Sequence, residues 1–409
     1  MQLIPNIDLE KYHYELHDDR IAKYPLKDRA ESKLLVVEKS NNTVKHSNFH
    51  SIVDYIPKNS LIFVNDTKVL PARIHLKKST GGRAELFLLD PLMPSHDPQI
   101  TLNSKKECIW KCMIGGKKIK EGIKLILNSH NFELKVEVIQ KQFNIAECKF
   151  IWNGNHNFGE LLEIIGNIPL PPYLNREIIE TDKDDYQTIF SHYDGSVAAP
   201  TAGLHFTDEI LSQLKLNNEI INLTLHVGAG TFLPISSNSI QKHKMHREQV
   251  FIKKDRIKKI LLCKLNNENN KLKQNIIATG TTSVRTLESL YYIGKKLYYG
   301  QNNLNISQWE AYIDENKNIS VTDSLRKILE YMTENDIELL NFFTDIIIIP
   351  GFEFKIIDGM ITNFHQSKST LILLVVAFLG YHLWKKAYDE ALNNEYRFLS
   401  YGDSSLLLT

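Results

Sequence analysis

The spacing of apolar residues changes near residue 153, and this change constrains the fold more than any other feature of the sequence. Between residues 61 and 152, short runs alternate apolar and polar side chains and are separated by Gly, Pro, Ser and Asn, which predicts short strands. The runs are LIFV, RAELFLL, CIWKCM, GIKLIL, FELKVEVI and NIAECKFIW. Many short strands in succession are typical of a small β-barrel or sandwich.

After residue 153, helical and strand-like segments alternate along the chain. Helical spacing occurs in FGELLEIIG, TDEILSQL, TTSVRTLESL and STLILLVVAFLG, and INLTLHV, NIIATG and TDIIIIPG resemble strands. This alternation predicts an α/β domain. Because a strand pattern, KLLVVE, also precedes the barrel region, we expect a small β-barrel inserted into a large α/β domain. The predicted units are residues 1–68, the barrel at 69–152, and 153–409.

Charge and cysteine content limit the classes of function. The formal net charge is +1, so a nucleic acid would have to bind a local patch such as KKDRIKK (253–259) or GGKKIKEGIK (115–124). Such runs are more often solvated faces. The four cysteines lack metal-site spacing, which predicts reduced core thiols. No signal peptide is recognisable, and LILLVVAFL (371–379) is half the roughly 20 residues of a bilayer span, so we expect a cytoplasmic protein without a membrane partner.

The stretch SVAAPTAGLHFTDEI (196–210) is a crowded turn that leads into a predicted helix. Thr207 is a candidate N-cap, and Gly203 permits close backbone approach to a flat ligand. Pro200, Thr201 and Phe206 belong to the same turn. The alternative is that Pro200 and Gly203 only shape a connection and that His205 is a structural histidine.

Two further turns follow predicted strands. In ATGTTSVRTLES, the hydroxyls of Thr281 and Thr282 lie near a predicted helix start, and Arg285 lies one turn in. These groups suit a carboxylate or phosphate, although an Arg285 to Glu288 pair on the helix surface fits the spacing equally well. In LHVGAGTFLPI, His226 precedes a segment containing Gly228, Gly230 and Thr231. This segment lacks G-x-G-x-x-G and a phosphate-binding lysine, so neither a dinucleotide site nor an NTPase is supported.

Two histidine-bearing segments complete the set of candidates. HKMHREQ places His243, His246 and Glu248 close together, but the spacing does not match a zinc helix and favours a polar or acid–base cluster. TNFHQSKSTLILL places His365 and Lys368 before a helix that Ser367 or Ser369 caps. Residue chemistry alone therefore predicts an α/β protein whose turns converge on one pocket.

Taken together, these blocks resemble one family, the S-adenosylmethionine:tRNA ribosyltransferase-isomerases of queuosine biosynthesis. The resemblance rests on ELHDDRIAKYPLKDRAESKLLV, VNDTKVLPARI, GGRAELFLL, LPPY, YQTIFS, VAAPTAGLHFT, TLHVGAGTF, HKMHRE, GTTSVRTLES, IIPGFEFKIIDGMITNFHQSKSTLILLVVAF and YRFLSYGD. The blocks occur in the family's order and span nearly the whole chain.

The resemblance implies a large α/β domain with an inserted β-barrel and an unusual use of S-adenosylmethionine as co-substrate. The ribosyl moiety moves to 7-aminomethyl-7-deazaguanine at the tRNA wobble position, epoxyqueuosine forms, and adenine and methionine leave. No metal is expected, the RNA partner is a tRNA, and a monomer is the default expectation.

Site residues follow from the resemblance and from histidine chemistry. His205 and His226 are the first acid–base candidates, followed by His365 and the His243/His246 pair. Arg285 with Thr281 and Thr282 is expected to hold the methionine carboxylate or an RNA phosphate. The complete set of expected substrate-binding residues is Asp66, Pro200, Thr201, Gly203, Phe206, Thr207, Gly228, Gly230, Thr231, His243, His246, Glu248, Thr281, Thr282, Arg285, Lys368, Tyr401 and Asp403. Asp66 and Asp403 have turn capping as their alternative role.

One segment departs from the family pattern. Residues 291–343 form a long insertion where the family usually has a short connection, with a strand-like QWEAYI and a helical SLRKILEYM. Two alternatives to the family reaction therefore remain: a paralogue that uses S-adenosylmethionine on another acceptor, and a non-catalytic tRNA-binding module.

Overall fold

The structure is a computed structural model that describes residues 5–129, 132–228, 240–270, 272–313 and 317–409. The strands, in chain order, are β1 (Lys33–Glu38), β2 (Thr43–Asn48), β3 (Leu61–Asn65), β4 (Thr67–Val69), β5 (Arg73–Lys78), β6 (Arg83–Met93), β7 (Glu107–Gly115), β8 (Lys124–Asn128), β9 (Glu133–Gln142), β10 (Ile145–Trp152), β11 (Gly166–Asn167), β12 (Tyr193–Ser196), β13 (Glu219–His226), β14 (Glu248–Lys253), β15 (Ile276–Thr279), β16 (Leu339–Thr344), β17 (Gly359–Asn363) and β18 (Ser404–Leu408). The helices are α1 (Ile52–Tyr55), α2 (Pro98–Leu102), α3 (Phe158–Ile165), α4 (Asp182–Asp185), α5 (Asp208–Leu214), α6 (Lys254–Glu268), α7 (Thr281–Tyr298), α8 (Glu310–Ile313), α9 (Val321–Glu334), α10 (Thr370–Leu379) and α11 (Tyr381–Asn393).

A nine-stranded sheet forms the centre of the α/β part, in the order β16-β14-β13-β3-β15-β17-β18-β1-β2. The four strands β13, β3, β15 and β17 are parallel, so their carboxyl ends meet at one edge of the sheet. β18 is antiparallel to β17 and parallel to β1, which brings the starts of β18 and β1 to the same edge. In sheets of this kind, ligands bind outside the carboxyl ends of the strands.

The two faces of this sheet are covered differently. One face, with Phe63, Leu223 and Leu225, belongs to the largest hydrophobic core, which also contains residues of α6, α7, α9, α10 and α11. The other face is covered around β3, β15 and β17 by a second core. Towards β13 and β14 this second face carries polar side chains, because Asn222 lies opposite Val64 and Thr224 lies opposite Phe251.

A closed barrel is built from β5, β6, β7, β10, β9 and β8, and the pairing of Lys77 with Ile126 closes it. Its core contains Trp110 and Phe150. The mixed α/β fold with a closed β-barrel confirms the predicted fold class. Phe158 of α3 also packs in the barrel core, beyond residue 152, and the exact unit boundaries of 69 and 152 stay a prediction.

The predicted insertion at 291–343 folds with the large sheet, but one of its expected elements differs. SLRKILEYM lies in α9, as predicted, whereas QWEAYI contains α8 and is not a strand, and the rings of Trp309 and Tyr312, three residues apart, pack edge to face. The segment TDIIIIPG (344–351), which follows, is not a strand beyond Thr344, the last residue of β16. Its Ile346 and Ile349 are fully buried, and the Ile349 N–H donates to the Tyr312 hydroxyl, so the apolar run packs as irregular backbone in the core.

The apolar block and the cysteines take the predicted places. LILLVVAFL lies in α10, most of which is buried in the core. All four cysteines are buried free thiols. Within the described ranges, no single helix is long and apolar enough to cross a membrane, although α10 and α11, bent at 116°, pass that test of length and composition as a pair.

Candidate functional site

A cavity lies at the carboxyl ends of β15 and β17, and we call it the strand-end cavity. Its lining includes Pro200, Thr201, Thr281, Thr282, Asn363 and His365. Five of these six were predicted from the sequence as site residues, and Asn363 was not. The described residues that line it include no Asp, Glu, Lys or Arg. A ligand here is therefore bound by hydroxyls, amides, backbone groups and one imidazole.

The floor of the strand-end cavity is the amino-terminal turn of α7. Gly280 precedes this helix with φ +87°, a left-handed conformation that glycine adopts without strain. Thr281 and Thr282 follow in the first turn, where backbone N–H groups lack partners within the helix. An 18-residue helix presents a partial positive charge at this end, which favours an anionic group.

His365 is the histidine of the strand-end cavity. Its Nε2 lies 2.9 Å from Thr362 Oγ1, and its backbone N–H donates to the Tyr388 hydroxyl at 3.2 Å. Burial lowers the pKa of His365 to about 4. The imidazole is therefore neutral at pH 7 and able to accept a proton.

His205 lies outside the strand-end cavity, in a neighbouring narrow pocket with Arg29, Arg397 and Tyr401. Its Nδ1 is 2.9 Å from Ser32 Oγ, and its ring packs on Phe49 with centroids 5.1 Å apart. Burial lowers the pKa of His205 to about 4, although the nearby Asn363 side chain opposes this shift. Within the described ranges, Nε2 makes no hydrogen bond of normal geometry. These contacts fit the alternative of a structural histidine.

His226 ends β13 and lines two other cavities on the polar face of the sheet. Its Nδ1 is 3.0 Å from Thr67 Oγ1, and burial lowers its pKa to about 4. Gly195 lies against the ring: a Cβ there would sit 2.4 Å from Cε1 of His226, and its φ of +152° disfavours other residues. Gly195 therefore sets the position of the His226 imidazole.

The first of these two cavities, which we call the Asp66 cavity, measures about 250 Å³ and is lined by Asp66, His192, Thr224, His226, Phe251 and Arg256. The second, the barrel groove, lies between the barrel and β14–β16. Its lining includes Asp90, His96 and Lys111 of the barrel region and Gly228, His246, Arg247 and Phe343 of the large sheet region. The three candidate catalytic histidines thus line different cavities, although the His205 pocket shares Ser400 with the strand-end cavity and the barrel groove shares Val227 with it. The convergence of these turns on one site stays a prediction.

Arg285 does not line the strand-end cavity and binds protein groups instead. Its guanidinium donates to Glu248 Oε2 at 2.6 Å and to the Ile346 carbonyl at 2.9 Å, and lies 3.2 Å from His246 Nε2. Arg285 and Glu248 are almost fully buried. Burial alone would raise the pKa of Glu248, but the positive charge of Arg285 and the contact with His246 outweigh it, and the pKa is lowered. The expectations that Arg285 and Glu248 contact substrate are therefore corrected to a buried ion pair.

The alternative prediction, an ion pair between Arg285 and Glu288 on the helix surface, is also wrong. Glu288 is fully buried, and its carboxylate accepts the backbone N–H groups of Lys355, Ile356 and Ile357 at 2.8–3.0 Å. Burial raises the pKa of Glu288, while these backbone hydrogen bonds oppose the shift. Glu288 thus fastens α7 to the segment before β17.

Several other expected site residues have structural contacts. Phe206 is buried between Phe49 and Phe190, so it cannot stack on a nucleobase. Thr207 caps α5, as predicted, and Gly203 packs against Thr188, which supports a shaping role for the turn. These three residues position the turn that carries Pro200 and Thr201.

Asp403 and Lys368 contact protein groups, whereas the binding role of His243 stays a prediction. Asp403 is buried and accepts the backbone N–H of Lys33 and of Arg397, which matches its capping alternative. Lys368 forms an exposed ion pair with Glu10 at 2.7 Å, and α10 is capped by Ser369. His243 is partly exposed, and burial followed by the charge of His246 lowers its pKa. Gly230 and Thr231 lie outside the described residues.

Four further residues of the strand-end cavity were not predicted from the sequence: Thr362, Asn363, Tyr173 and Ser400. A signal was present, because Thr362 and Asn363 are polar residues at the end of an apolar strand, and Tyr173 and Ser400 lie in LPPY and YRFLSYGD. The Tyr173 hydroxyl is 2.5 Å from Ser400 Oγ, and burial raises the pKa of Tyr173 to about 12.

Among the residues described, no group of three or more His, Cys, Asp or Glu side chains is arranged to hold a metal ion.

A parallel-stranded sheet with a cavity at its strand ends, joined to a barrel along a polar groove, defines a ligand-binding α/β protein. The chain belongs to the queuosine biosynthesis protein family, which it matches over residues 9–407. It is 36% identical to the S-adenosylmethionine:tRNA ribosyltransferase-isomerase of Natranaerobius thermophilus over 402 residues, 98% of this chain and 99% of that protein. The protein of the same name from Aquifex aeolicus is 35% identical over 403 residues, with the same coverage. The crystal structure of S-adenosylmethionine tRNA ribosyltransferase from Thermotoga maritima is 24% identical with a TM-score of 0.45, covering 97% of this chain and 100% of that one.

Proposed function

We propose that this chain is an S-adenosylmethionine:tRNA ribosyltransferase-isomerase. It moves the ribosyl moiety of S-adenosylmethionine to 7-aminomethyl-7-deazaguanine at the wobble position of a tRNA, giving epoxyqueuosine and releasing adenine and methionine. The observation that carries this proposal is the full-length identity of 35–36% to relatives that bear this name. The chemistry needs no metal, and the protein acts as a cytoplasmic monomer.

The strand-end cavity is the proposed site of S-adenosylmethionine. The methionine carboxylate binds the Thr281 and Thr282 hydroxyls and the amino-terminal N–H groups of α7, where a helix end favours negative charge. The Tyr173 ring lines the same cavity and offers an aromatic face to the cationic sulfonium. The absence of Lys and Arg among the described lining residues also suits a cationic sulfur.

His365 is the proposed general base. The sulfonium acidifies the adjacent 5′ carbon, and a neutral imidazole in the cavity accepts the proton that leaves it. The lowered pKa of about 4 keeps the imidazole unprotonated before the reaction. Thr362, at 2.9 Å from Nε2, orients the ring.

His226 is the proposed acceptor-side base. The amine of the deazaguanine must be neutral to attack the ribosyl carbon, and His226 is a buried neutral imidazole on the cavities of the polar sheet face. Its chain neighbour Val227 lines the strand-end cavity, so the two proposed substrate sites meet at this pair of residues. His205 keeps a structural role beside Ser32.

Product analysis tests this function. Purified protein is mixed with S-adenosylmethionine and a tRNA that carries 7-aminomethyl-7-deazaguanine, and small molecules and digested RNA are measured. We expect adenine and methionine in equal amounts and epoxyqueuosine in the RNA. Adenine and methionine without epoxyqueuosine would indicate a paralogue with another acceptor, and salt-sensitive tRNA binding without consumption of S-adenosylmethionine would indicate a binding module.

A further inference from the structure

The Asp66 cavity combines a buried carboxylate with aromatic rings on the polar face of the sheet. Asp66 is only 4% exposed, follows the carboxyl end of β3 and lines the cavity. Its backbone carbonyl accepts the N–H groups of His192 and Tyr193, which fixes the segment that forms the opposite wall. Phe251 lies directly across from Thr224 on the neighbouring strand and completes the lining.

The Asp66 carboxylate lines the cavity and is only partly satisfied by protein donors. Thr224 Oγ1 donates to Oδ1 at 2.7 Å, and the Asp66 backbone N–H and the Asn222 side chain also interact with the carboxylate, whereas an ionised carboxylate accepts about four hydrogen bonds. Burial raises the pKa of Asp66 in spite of these contacts, so the charged form is incompletely stabilised by its surroundings. A ligand that presents two N–H donors side by side would supply the missing stabilisation.

We propose that the Asp66 cavity binds the 7-deazaguanine base of the RNA, with Asp66 accepting hydrogen bonds from N1–H and the 2-amino group. This inference rests on the proposed function for the identity of the RNA base. Guanine-type bases carry these two adjacent donors, whereas adenine, cytosine and uracil each pair a donor with an acceptor at the corresponding edge. A carboxylate therefore selects the guanine type.

The size and the remaining lining of the cavity fit a base turned out of an RNA loop. A volume of about 250 Å³ is many times the roughly 10–15 Å³ that one water needs, so the cavity has room for a ligand of many heavy atoms. Phe251 and Tyr193 provide aromatic surface for stacking, which is how single-stranded RNA bases are commonly bound. Lys253 and Arg256, on the same cavity, bring positive charge to the RNA backbone.

The orientation of the base connects this cavity to the reaction. The 7-aminomethyl group lies on the ring edge away from N1 and the 2-amino group, so a base read by Asp66 directs its amine away from that carboxylate. His226 lines the same cavity and precedes Val227 of the strand-end cavity. The amine is thereby directed to the proposed acceptor-side base.

The test removes the 2-amino donor from the base and, separately, the carboxylate acceptor from the protein. RNA stem-loops carrying 7-aminomethyl-7-deazaguanine, or the analogue without the 2-amino group, are titrated into the protein by calorimetry without S-adenosylmethionine. A hydrogen bond to a charged group contributes about 1.5–3 kcal/mol, so we expect the wild-type protein to bind the analogue about 10- to 150-fold more weakly. Asp66→Asn should bind the complete base weakly and lose this discrimination.

Two variants keep the test interpretable. Asp194→Asn removes an exposed carboxylate on β12 that pairs with Lys68 at 3.4 Å and does not line the cavity, and it should bind like the wild type. If Asp66→Asn does not fold, Thr224→Val replaces the donor that holds Asp66 and should weaken binding of the complete base several-fold. The inference is overturned if the wild type binds both RNAs equally well, or if Asp66→Asn still prefers the RNA with the 2-amino group as strongly as the wild type does. If Thr224→Val is the variant used, unchanged binding of the complete base overturns it. Failure of the wild type to release adenine, with the binding pattern intact, overturns the proposed function and not this site.

Discussion

The strand-end cavity and the Asp66 cavity lie on one sheet but differ in composition and construction. The former is lined, among the described residues, by neutral side chains from turns of the large sheet region, whereas the latter contains Asp66, Asp97, Lys253 and Arg256. Asp97 comes from the segment between barrel strands, and the barrel also supplies one wall of the groove next to it. The large sheet region thus supplies most of the charges of the Asp66 cavity, and the barrel adds Asp97 there and Asp90 and Lys111 in the groove beside it. We assign the neutral cavity to the small co-substrate and the charged one to RNA.

Substitution of His365, in the strand-end cavity, is expected to reduce turnover more than any other change considered. His365→Ala removes the proposed base and should lower kcat about 10²- to 10⁴-fold, the range in which acid–base catalysis contributes. Affinity for S-adenosylmethionine should change little, because the carboxylate contacts remain. The measurement is steady-state release of adenine, with binding of S-adenosylmethionine measured by calorimetry.

His205→Ala is the matched control for this prediction. It removes a buried histidine with the same lowered pKa of about 4 that lies outside the strand-end cavity. The protein should lose about 1–3 kcal/mol of unfolding free energy, because Ser32 loses its buried partner, and should retain most of its kcat. An equal loss of kcat in both variants would show that His205 and His365 belong to one catalytic site.

Arg285 lies outside both cavities. Arg285→Met leaves the buried carboxylate of Glu248 with His246 as its remaining side-chain partner, and breaking a buried ion pair costs about 3–5 kcal/mol. Urea unfolding measures this loss. If Arg285 held the methionine carboxylate, KM for S-adenosylmethionine would rise steeply in the folded variant, whereas a structural pair leaves that KM near the wild-type value.

Gly195→Ala tests whether His226 acts on the RNA side alone. The added Cβ meets the imidazole and the positive φ becomes strained, so the ring must move. We expect a loss of roughly 10- to 100-fold in kcat/KM for tRNA, consistent with misplacing one catalytic group. Binding of S-adenosylmethionine, measured separately, should be unaffected, and a matching loss there would show that the two cavities are not independent.

Acid pH is expected to weaken the fold through the three buried histidines. Their pKa values are lowered to about 4 from 6.5, so between these values the unfolded chain binds more protons than the native one. The free energy of unfolding should therefore fall as the pH drops from about 6.5 towards 4, by on the order of 2 kcal/mol per histidine at pH 5. Urea unfolding at pH 7 and pH 5 measures the change, and His205→Ala should reduce it. An unchanged stability would mean that these rings are protonated in the native state.

Much of the fold and part of the site could be predicted from the sequence. Strand-ending turns bring Thr281, Thr282 and His365 to one cavity, because the ends of parallel strands share one edge. The partner of Arg285 could not be predicted, since Glu248 lies 37 residues away and meets it only through the packing of β14 against α7. The prediction that Phe206 binds substrate was wrong for a similar reason. The sequence around an aromatic residue next to a glycine-containing turn is the same whether the ring faces a ligand or the core. The separation of the histidines into different cavities could not be predicted either, because it depends on the face of the sheet to which each histidine points.

The position of β18 governs the order in which the large sheet can be made. This strand lies between β17 and β1, so residues 404–408 pair on one side with the strand 33–38, translated long before them. During synthesis, β1 and β2 have no sheet to join until residues 404–408 leave the ribosome. The turn around Ser400 and Asp403, which contacts Lys33 and lines the strand-end cavity, is completed in the same event. A nascent chain therefore completes the strand-end cavity, the proposed S-adenosylmethionine site, after the barrel has had time to fold.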